Sequence, residues 1–484
     1  MPTPFLRPAL AMLVLTAVAP APGLAGLNRE PGPPVGRPDV GGNWGSLGLA
    51  RDGTLHLLYD RSSPVPYSYA LRHAWFDGSE WQDEQVDAAL AWSAWRSMIV
   101  DPSGRVHVAY DLMVDGRPAE IVRYGVRDAT GWSFTDFESA RIGSVCGRTG
   151  IEPRVTFIGA RGQPHVASFD GAEWVVEALP FASPDTDLMS YYAMDGDGHL
   201  RAITRRGETW FHEVEAAGGW MESPIPEGIS AGGTSLAIDS RGSTHLVRGE
   251  YDFGGYGASL MHHRFDGADW TSEFVTSFPS LTVTGSSGLL VDPAGHLFDV
   301  ISLYDFNLFP WATSSIHLLY RDGSEWRDVP IPMRRPGEIT SAVLGPDGAI
   351  HAAAISSDEA RFEILRITLP DLEVDGRGLT VERRGRGAAV QGTLAVRNRG
   401  AGRSRPTKIR FYLSEDDRLD EGDSPVGDAV HLRRVKPGGE AVVPVSLEIH
   451  RRVAGQRLLA VADPDRLLED VDRPNNTAVL VFGE

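Results

Sequence analysis

The chain is predicted to be all-β: a seven-bladed β-propeller, with six blades as the alternative count, followed by an immunoglobulin-like β-sandwich. Three observations predict it. A phrase of an apolar run, a Gly-containing turn and usually a His returns seven times, at Gly53-Thr54-Leu55-His56, Gly104-Arg105-Val106-His107, Gly162-Gln163-Pro164-His165, Gly198-His199-Leu200-Arg201, Gly242-Ser243-Thr244-His245, Gly295-His296-Leu297-Phe298 and Gly348-Ala349-Ile350-His351. The turn glycines lie 51, 58, 36, 44, 53 and 53 residues apart, which is the period of a propeller blade rather than of a helical solenoid. All 12 tryptophans precede residue 371, where the repeat stops and a run of alternating strands begins.

From the N-terminus, residues 1–25 read as a secretory signal peptide. Arg7 precedes the apolar run 9–18, and a small-residue stretch around Ala25 supplies the cleavage point. The run is too short to span a bilayer. Residues 26–44 read as a linker, 45–370 as the propeller and 371–484 as the sandwich. No other stretch reaches about 18 apolar residues, so no transmembrane segment is expected. The mature protein is expected to be secreted, periplasmic or at the cell surface. Its one cysteine, Cys146, has no partner within the chain and reads as a buried thiol.

Within a repeat the order is an apolar strand, the Gly turn, a second strand opening near His, a variable stretch, a third strand, and a second turn leading into Trp. In the first repeat these are 46–50, 56–59, 71–76, the turn Asp77-Gly78 and a fourth strand opened by Trp81. Four short strands with tight turns make an antiparallel meander, and radial repetition leaves only short edges. The tryptophans are read as packing units between sheets. The recurring His is read as structural, because one repeat position spread around a ring cannot converge on a metal. Only 12 residues separate Gly162 from Trp174, which predicts a third repeat short of one strand. The seventh repeat lacks a Trp strand, so its fourth strand either comes from near residues 27–38 or is missing.

In wording the array resembles the neuraminidase-like, BNR-type propeller repeats. Asp77-Gly78, Asp266-Gly267 and Asp322-Gly323 are adjacent pairs where that family's Asp box spaces its Asp and Gly two apart, although a Trp still follows. The resemblance implies the fold and does not carry the activity with it.

The chain has 46 basic and 65 acidic residues, a formal charge of −19. Residues 371–484 hold 19 of each sign, so the whole excess lies before them. An acidic propeller is a poor partner for nucleic acid or anionic membrane, which both require Lys and Arg. An extracellular glycan or an envelope protein is the expected partner, and the protein is expected to be a monomer.

In the C-terminal module, strands are expected at 372–374, 389–398, 409–414, 441–449, 456–462 and 478–482. The phrases Pro370-Asp371-Leu372, Val396-Arg397-Asn398-Arg399-Gly400, Phe411-Tyr412-Leu413-Ser414-Glu415-Asp416-Asp417, Val435-Lys436-Pro437-Gly438 and Asn475-Asn476-Thr477 look like the CARDB domain, the cell adhesion related domain found in bacteria. That resemblance implies an accessory adhesion or positioning role. Asp416, Asp417, Asp420 and Asp423 form an acidic loop that invites calcium, the one cofactor considered, since hard cations prefer clustered carboxylates. Their spacing is not that of an EF-hand, and a solvated hairpin loop is the competing reading.

A ligand is expected on the face carrying the long, unequal loops, because uniform turns build while variable loops recognise. Trp92, Trp95, Arg96, Tyr251, Asp252, Tyr256, Tyr304, Asp305 and Trp311 are the candidate ligand-binding residues. Aromatic faces stack on the apolar side of sugar rings, and carboxylates accept hydroxyl hydrogens. The first functional reading is an exported binding or adhesion protein. The alternative is a sialidase-like glycoside hydrolase or lyase, whose substrate carboxylate would need several of Arg96, Arg123, Arg154, Arg205, Arg248 and Arg264 to converge. No catalytic residue is assigned.

Overall fold

The computed structural model describes residues 28–31, 45–62, 68–91, 96–114, 117–138, 140–148, 151–159, 162–180, 191–226, 235–251, 258–278, 282–286, 288–304, 315–323, 325–331, 337–356 and 362–482. Among them, strands form seven sheets before residue 369, followed by a two-sheet module. We number the seven sheets as blades in chain order. Blade one runs Gly45–Leu49, Leu55–Ser62, Ser68–Phe76 and Trp81–Ala91, and blades two to six repeat this antiparallel meander. In blade six, Leu290–Val291 adds a short piece beside the first strand.

The recurring glycines do the work expected of them. All seven have φ between +78° and +94°, a region closed to most L-residues. Each gives its N–H to the carbonyl three residues back, at 2.9–3.2 Å. This is a type I turn followed by a left-handed residue, which matches strand twist in a three-residue hairpin.

Among the described residues, six tryptophans at or next to the start of an outer strand pack toward the preceding blade. Trp81 joins Leu47, Tyr59, Ala353 and Phe362 of blades one and seven. Trp132 joins Leu58, Leu71 and Val86 of blade one, Trp174 joins Val122 and Phe137 of blade two, and Trp220 joins Val166 and Leu179 of blade three. Trp270 and Trp326 do the same for blades four and five. Blade seven meets blade six through Ile339, Ile350 and Val300. The sheets therefore form a closed propeller. Its last sheet takes its outer strand from the other end of the chain: Asn28–Pro31, within the stretch read as linker, pairs with Phe362–Thr368.

Blade three corrects the sequence reading. It has four strands, Arg141–Arg148, Ile151–Ile158, Pro164–Phe169 and Trp174–Ala178. The innermost, Arg141–Arg148, lacks the repeat phrase. Gly162 therefore turns between the second and third strands instead of the first and second, and a single strand opens with His165 and closes with Phe169 before the Asp170-Gly171 turn. Inserting a strand before the glycine and merging two after it explains the intervals of 58 and 36.

The C-terminal module is a sandwich of Leu372–Asp375, Leu379–Arg384, Gly387–Asn398 and Glu440–Ile449 against Thr407–Ser414, Ser424–Leu432, Arg457–Ala462 and Thr477–Val481. Its core holds Val390, Leu394, Val396, Ile409, Phe411 and Leu458. Two of these strands, Leu379–Arg384 and Ser424–Leu432, were not anticipated. Both are largely exposed and rich in charge and small residues, so hydrophobic alternation is weak there.

Candidate functional site

In a four-stranded meander the first and third turns share one end of the sheet, and the second turn shares the other end with the link to the next blade. The propeller thus has a turn end and a loop end. The sandwich sits on the turn end, beneath blade six. Tyr320 donates its hydroxyl hydrogen to Glu469 at 2.8 Å. Arg473 lies with Nε 3.2 Å from Asp322 and Nη1 3.5 Å from Asp463, both carboxylates fully buried, and it also donates to the Leu468 carbonyl. Val471 enters the core between blades six and seven. Gly323, at φ +87°, lets the chain approach so closely that a Cβ there would stand 2.8 Å from Pro474.

Charge is concentrated at this seam. His296 in the first turn of blade six lies 2.7 Å from Asp292 and 3.9 Å from Asp472. Burial opposes its protonation, yet the Asp292 hydrogen bond and surrounding carboxylates raise its pKa above the ordinary value. Asp470, fully buried, accepts the N–H of Leu372 at 3.0 Å. Burial pushes its pKa up to about 7. Asn475 bridges Asp371 and Asp472 at 2.8 and 3.0 Å.

Two of the recurring histidines, His245 and His56, belong to chains of hydrogen bonds that reach the next blade, whereas His107 bonds within its own blade to Asp101 and Tyr124 and His165 to the Gln163 carbonyl. In blade five Asp239 caps its turn through Oδ1, from the amides of Arg241 and Ser243, while Oδ2 lies 3.2 Å from His245. His245 pairs with His262 at 3.0 Å, and His262 with Glu273 at 2.8 Å. Arg321 and Trp326 of blade six donate to the same Glu273 oxygen, each at 2.9 Å. Blade one repeats this with His56, His73 and Glu84, which receives Arg127 and Trp132 of blade two. Sequence reading found the histidines and missed the carboxylates. The signal was present: Asp stands three residues before the turn glycine at Asp101, Asp195, Asp239 and Asp292.

These chains make stability depend on pH. Burial, then the facing imidazole, lowers the pKa of His56 to about 3 and of His245 to about 4. Burial also brings His212 to about 3 and His263 to about 4. The unfolded chain protonates such groups near 6.5, so their contribution is complete above about pH 6.5 and is lost as pH falls toward 4, at about 1.4 kcal/mol per pH unit per group. Asp470 and Glu213, both raised to about 7 by burial, act with the opposite sign. The largest shifts, four histidines against two carboxyls, predict a melting temperature that falls on acidification from pH 6.5 to 4.5; lowered His73, His107 and His351 reinforce this, and raised His296, Glu338, Asp371 and Asp472 oppose it. Scanning calorimetry across that range checks it, and His245→Asn should flatten the slope.

The loop end carries the strand ends at three of the candidate residues, on three different blades. Arg96 opens the first strand of blade two, Tyr251 closes the second strand of blade five, and Tyr304 closes the second strand of blade six. Trp92, Trp95, Asp252, Tyr256, Asp305 and Trp311 lie outside the described residues. Arg123 is engaged by Asp87 and Asp136, Arg154 by Glu215 and Arg264 by Ser243. These three therefore brace strands and blades.

Three carboxylates of the sandwich's acidic loop accept amides within it, while Asp417 lies 3.6 Å from Arg457. Asp416 accepts the amide of Arg418 at 2.8 Å, Asp420 that of Gly422 at 2.7 Å, and Asp423 that of Asp420 at 2.9 Å. Among the described residues, the grouping of three metal-competent side chains is elsewhere, at Asp195, Asp197 and His199 in the turn of blade four. There Asp195 already accepts the amides of Asp197 and His199. Excess calcium or chelator is accordingly expected to leave the thermal transition of the full chain unmoved, and a calcium-dependent rise in melting temperature would contradict this.

No helix among the described residues is long and apolar enough to cross a membrane. No curated protein matches the chain. Among solved structures, the streptogramin B lyase structure is similar over 71% of this chain and 99% of its own, with 12% identity and a TM-score of 0.45. The polysaccharide lyase Uly1 is similar over 65% and 87%, with 10% identity and a TM-score of 0.46. AofleA from Arthrobotrys oligospora is similar over 61% and 88%, with 12% identity and a TM-score of 0.40. Residues 369–479 match the family model CARDB, so the sandwich seated on the turn end of the propeller is a CARDB domain.

Proposed function

We propose that this is an exported bacterial binding or adhesion protein, whose loop end recognises an extracellular glycan or an envelope protein and whose CARDB domain is the accessory adhesion module. In this reading the blades are of the BNR type and the leader at residues 1–25 directs export. The observation that carries it is the placement of the CARDB domain. It occupies the turn end through Glu469, Asp472 and Arg473, which leaves the strand ends at Arg96, Tyr251 and Tyr304 on the opposite face. The excess acidity before residue 371 favours neutral or cationic surfaces.

The test is a glycan array and a panel of fluorogenic glycosides and lyase substrates, both with the purified full chain. Saturable glycan binding without turnover is the expected result. Turnover would replace the binding reading with the hydrolase or lyase one. Silence in both would leave a protein partner as the object of the loop end.

A further inference from the structure

Glu338 stands second in the innermost strand of blade seven, Gly337–Leu344, one residue from the loop end. Its neighbour Ile339 packs into the core between blades six and seven. Alternation along the strand turns Glu338 to the other sheet face. Directly opposite it across the ladder is Ile355, which packs on the core shared by blades seven and one with Leu47, Tyr59 and Phe362. Glu338 is thus a half-buried carboxylate near the loop end, on the sheet face that blade seven turns toward blade one.

Its chemistry differs from that of the other buried carboxylates in the ring. Glu84 is held by His73, Arg127 and Trp132. Glu273 is held by His262, Arg321 and Trp326, and Glu213 by Thr204 and Arg206 through Oε1, its Oε2 having no partner among the described residues. Among the described residues Glu338 has no hydrogen-bond or ionic partner, and burial raises its pKa above the ordinary carboxylate value. A half-buried carboxylate without a donor costs folding free energy. The fold gains nothing visible from it: the adjacent blade contact is made by Ser341, whose Oγ accepts the N–H of Leu47 at 2.7 Å.

A carboxylate accepts two hydrogen bonds side by side, which suits two neighbouring hydroxyl groups, and partial burial strengthens each bond. Resting on the binding function proposed above, we propose that Glu338 is a ligand-contacting residue of the loop end, accepting hydroxyl hydrogens from a neutral, polyhydroxylated glycan.

The experiment takes the best neutral glycan found for the full-length wild type and measures its Kd by titration calorimetry for wild type, Glu338→Gln and Glu338→Ala. Melting temperatures are recorded for all three. Glu338→Ala is expected to weaken binding at least about tenfold, the effect of one charge-assisted hydrogen bond, with melting temperature equal to or above that of wild type. Wild-type affinity in both variants would overturn the assignment of Glu338 and leave glycan binding standing. A lowered melting temperature in both variants would make Glu338 a folding residue and also overturn it. Preference for cationic amino-sugar oligomers over neutral ones would overturn the ligand class. A wild type that binds no glycan would overturn the glycan reading itself.

Discussion

Trp326→Ala is expected to lower the unfolding free energy of the propeller by about 3–5 kcal/mol, the range for deleting a large buried aromatic. The indole packs on Leu260, Val275 and Phe278 of blade five and stands edge-on to His262 at 5.3 Å. Its Nε1–H also reaches Glu273 at 2.9 Å. Although burial opposes ionisation, hydrogen bonds from His262, Arg321 and Trp326 bring the Glu273 pKa down to about 2. Trp326→Phe keeps most of the packing and removes only the N–H, so it should cost about 1.5–3 kcal/mol, as for a hydrogen bond to a charged group. Urea unfolding followed by near-UV circular dichroism separates the two. Equal effects of Ala and Phe would mean that the bond to Glu273, rather than the wedge between blades, sustains the contact.

The second large effect is expected at Arg473. Its guanidinium is the cation between Asp322 of the propeller and Asp463 of the CARDB domain. Removing one partner of a buried charged pair costs about 2–5 kcal/mol, because the other charge stays behind. Here Asp322 retains Arg327 at 2.8 Å, and Asp463 retains Thr407 and the Leu468 amide. Arg473→Ala should therefore fall at about 2–4 kcal/mol. The loss should appear as undocking: a larger radius of gyration in small-angle scattering and faster proteolysis between the modules, with the cores of both still folded. An unchanged radius with a lower melting temperature would place the role of Arg473 inside the CARDB domain alone.

Much of this architecture could be read from residue order, and the reasons it could are local. A left-handed turn demands glycine whatever surrounds it, so Gly53, Gly104 and Gly348 announce themselves without tertiary information. Tryptophan after a second turn is equally visible, since few residues cover so much area between sheets. Blade three failed for the opposite reason. Its innermost strand, Arg141–Arg148, carries neither signal, and one strand bears both the His that opens a second strand and the Phe-Asp-Gly that closes a third. Glu84 and Glu273 were hidden because an acid on an outer strand looks like any solvated residue until a neighbouring blade supplies Arg and Trp. Asn28–Pro31 has no alternation to betray it, and its role exists only through Phe362–Thr368. The candidate ligand residues were chosen by loop length and aromatic content. Neither loop length nor aromatic content points to Glu338, which is distinguished by having no donor near it among the described residues.

The outer strand of blade seven also imposes a schedule on biogenesis. Asn28 opposes Thr368, so the two halves of this zipper are 340 positions apart. A nascent chain must hold its leading segment unpaired until nearly the whole ring has emerged, and contacts so remote in sequence form late. A tag, fusion or cut that disturbs residues 28–31 should therefore act on the last step of assembly, yielding rings that are built but unfastened and prone to exchange the loose segment with a neighbouring molecule.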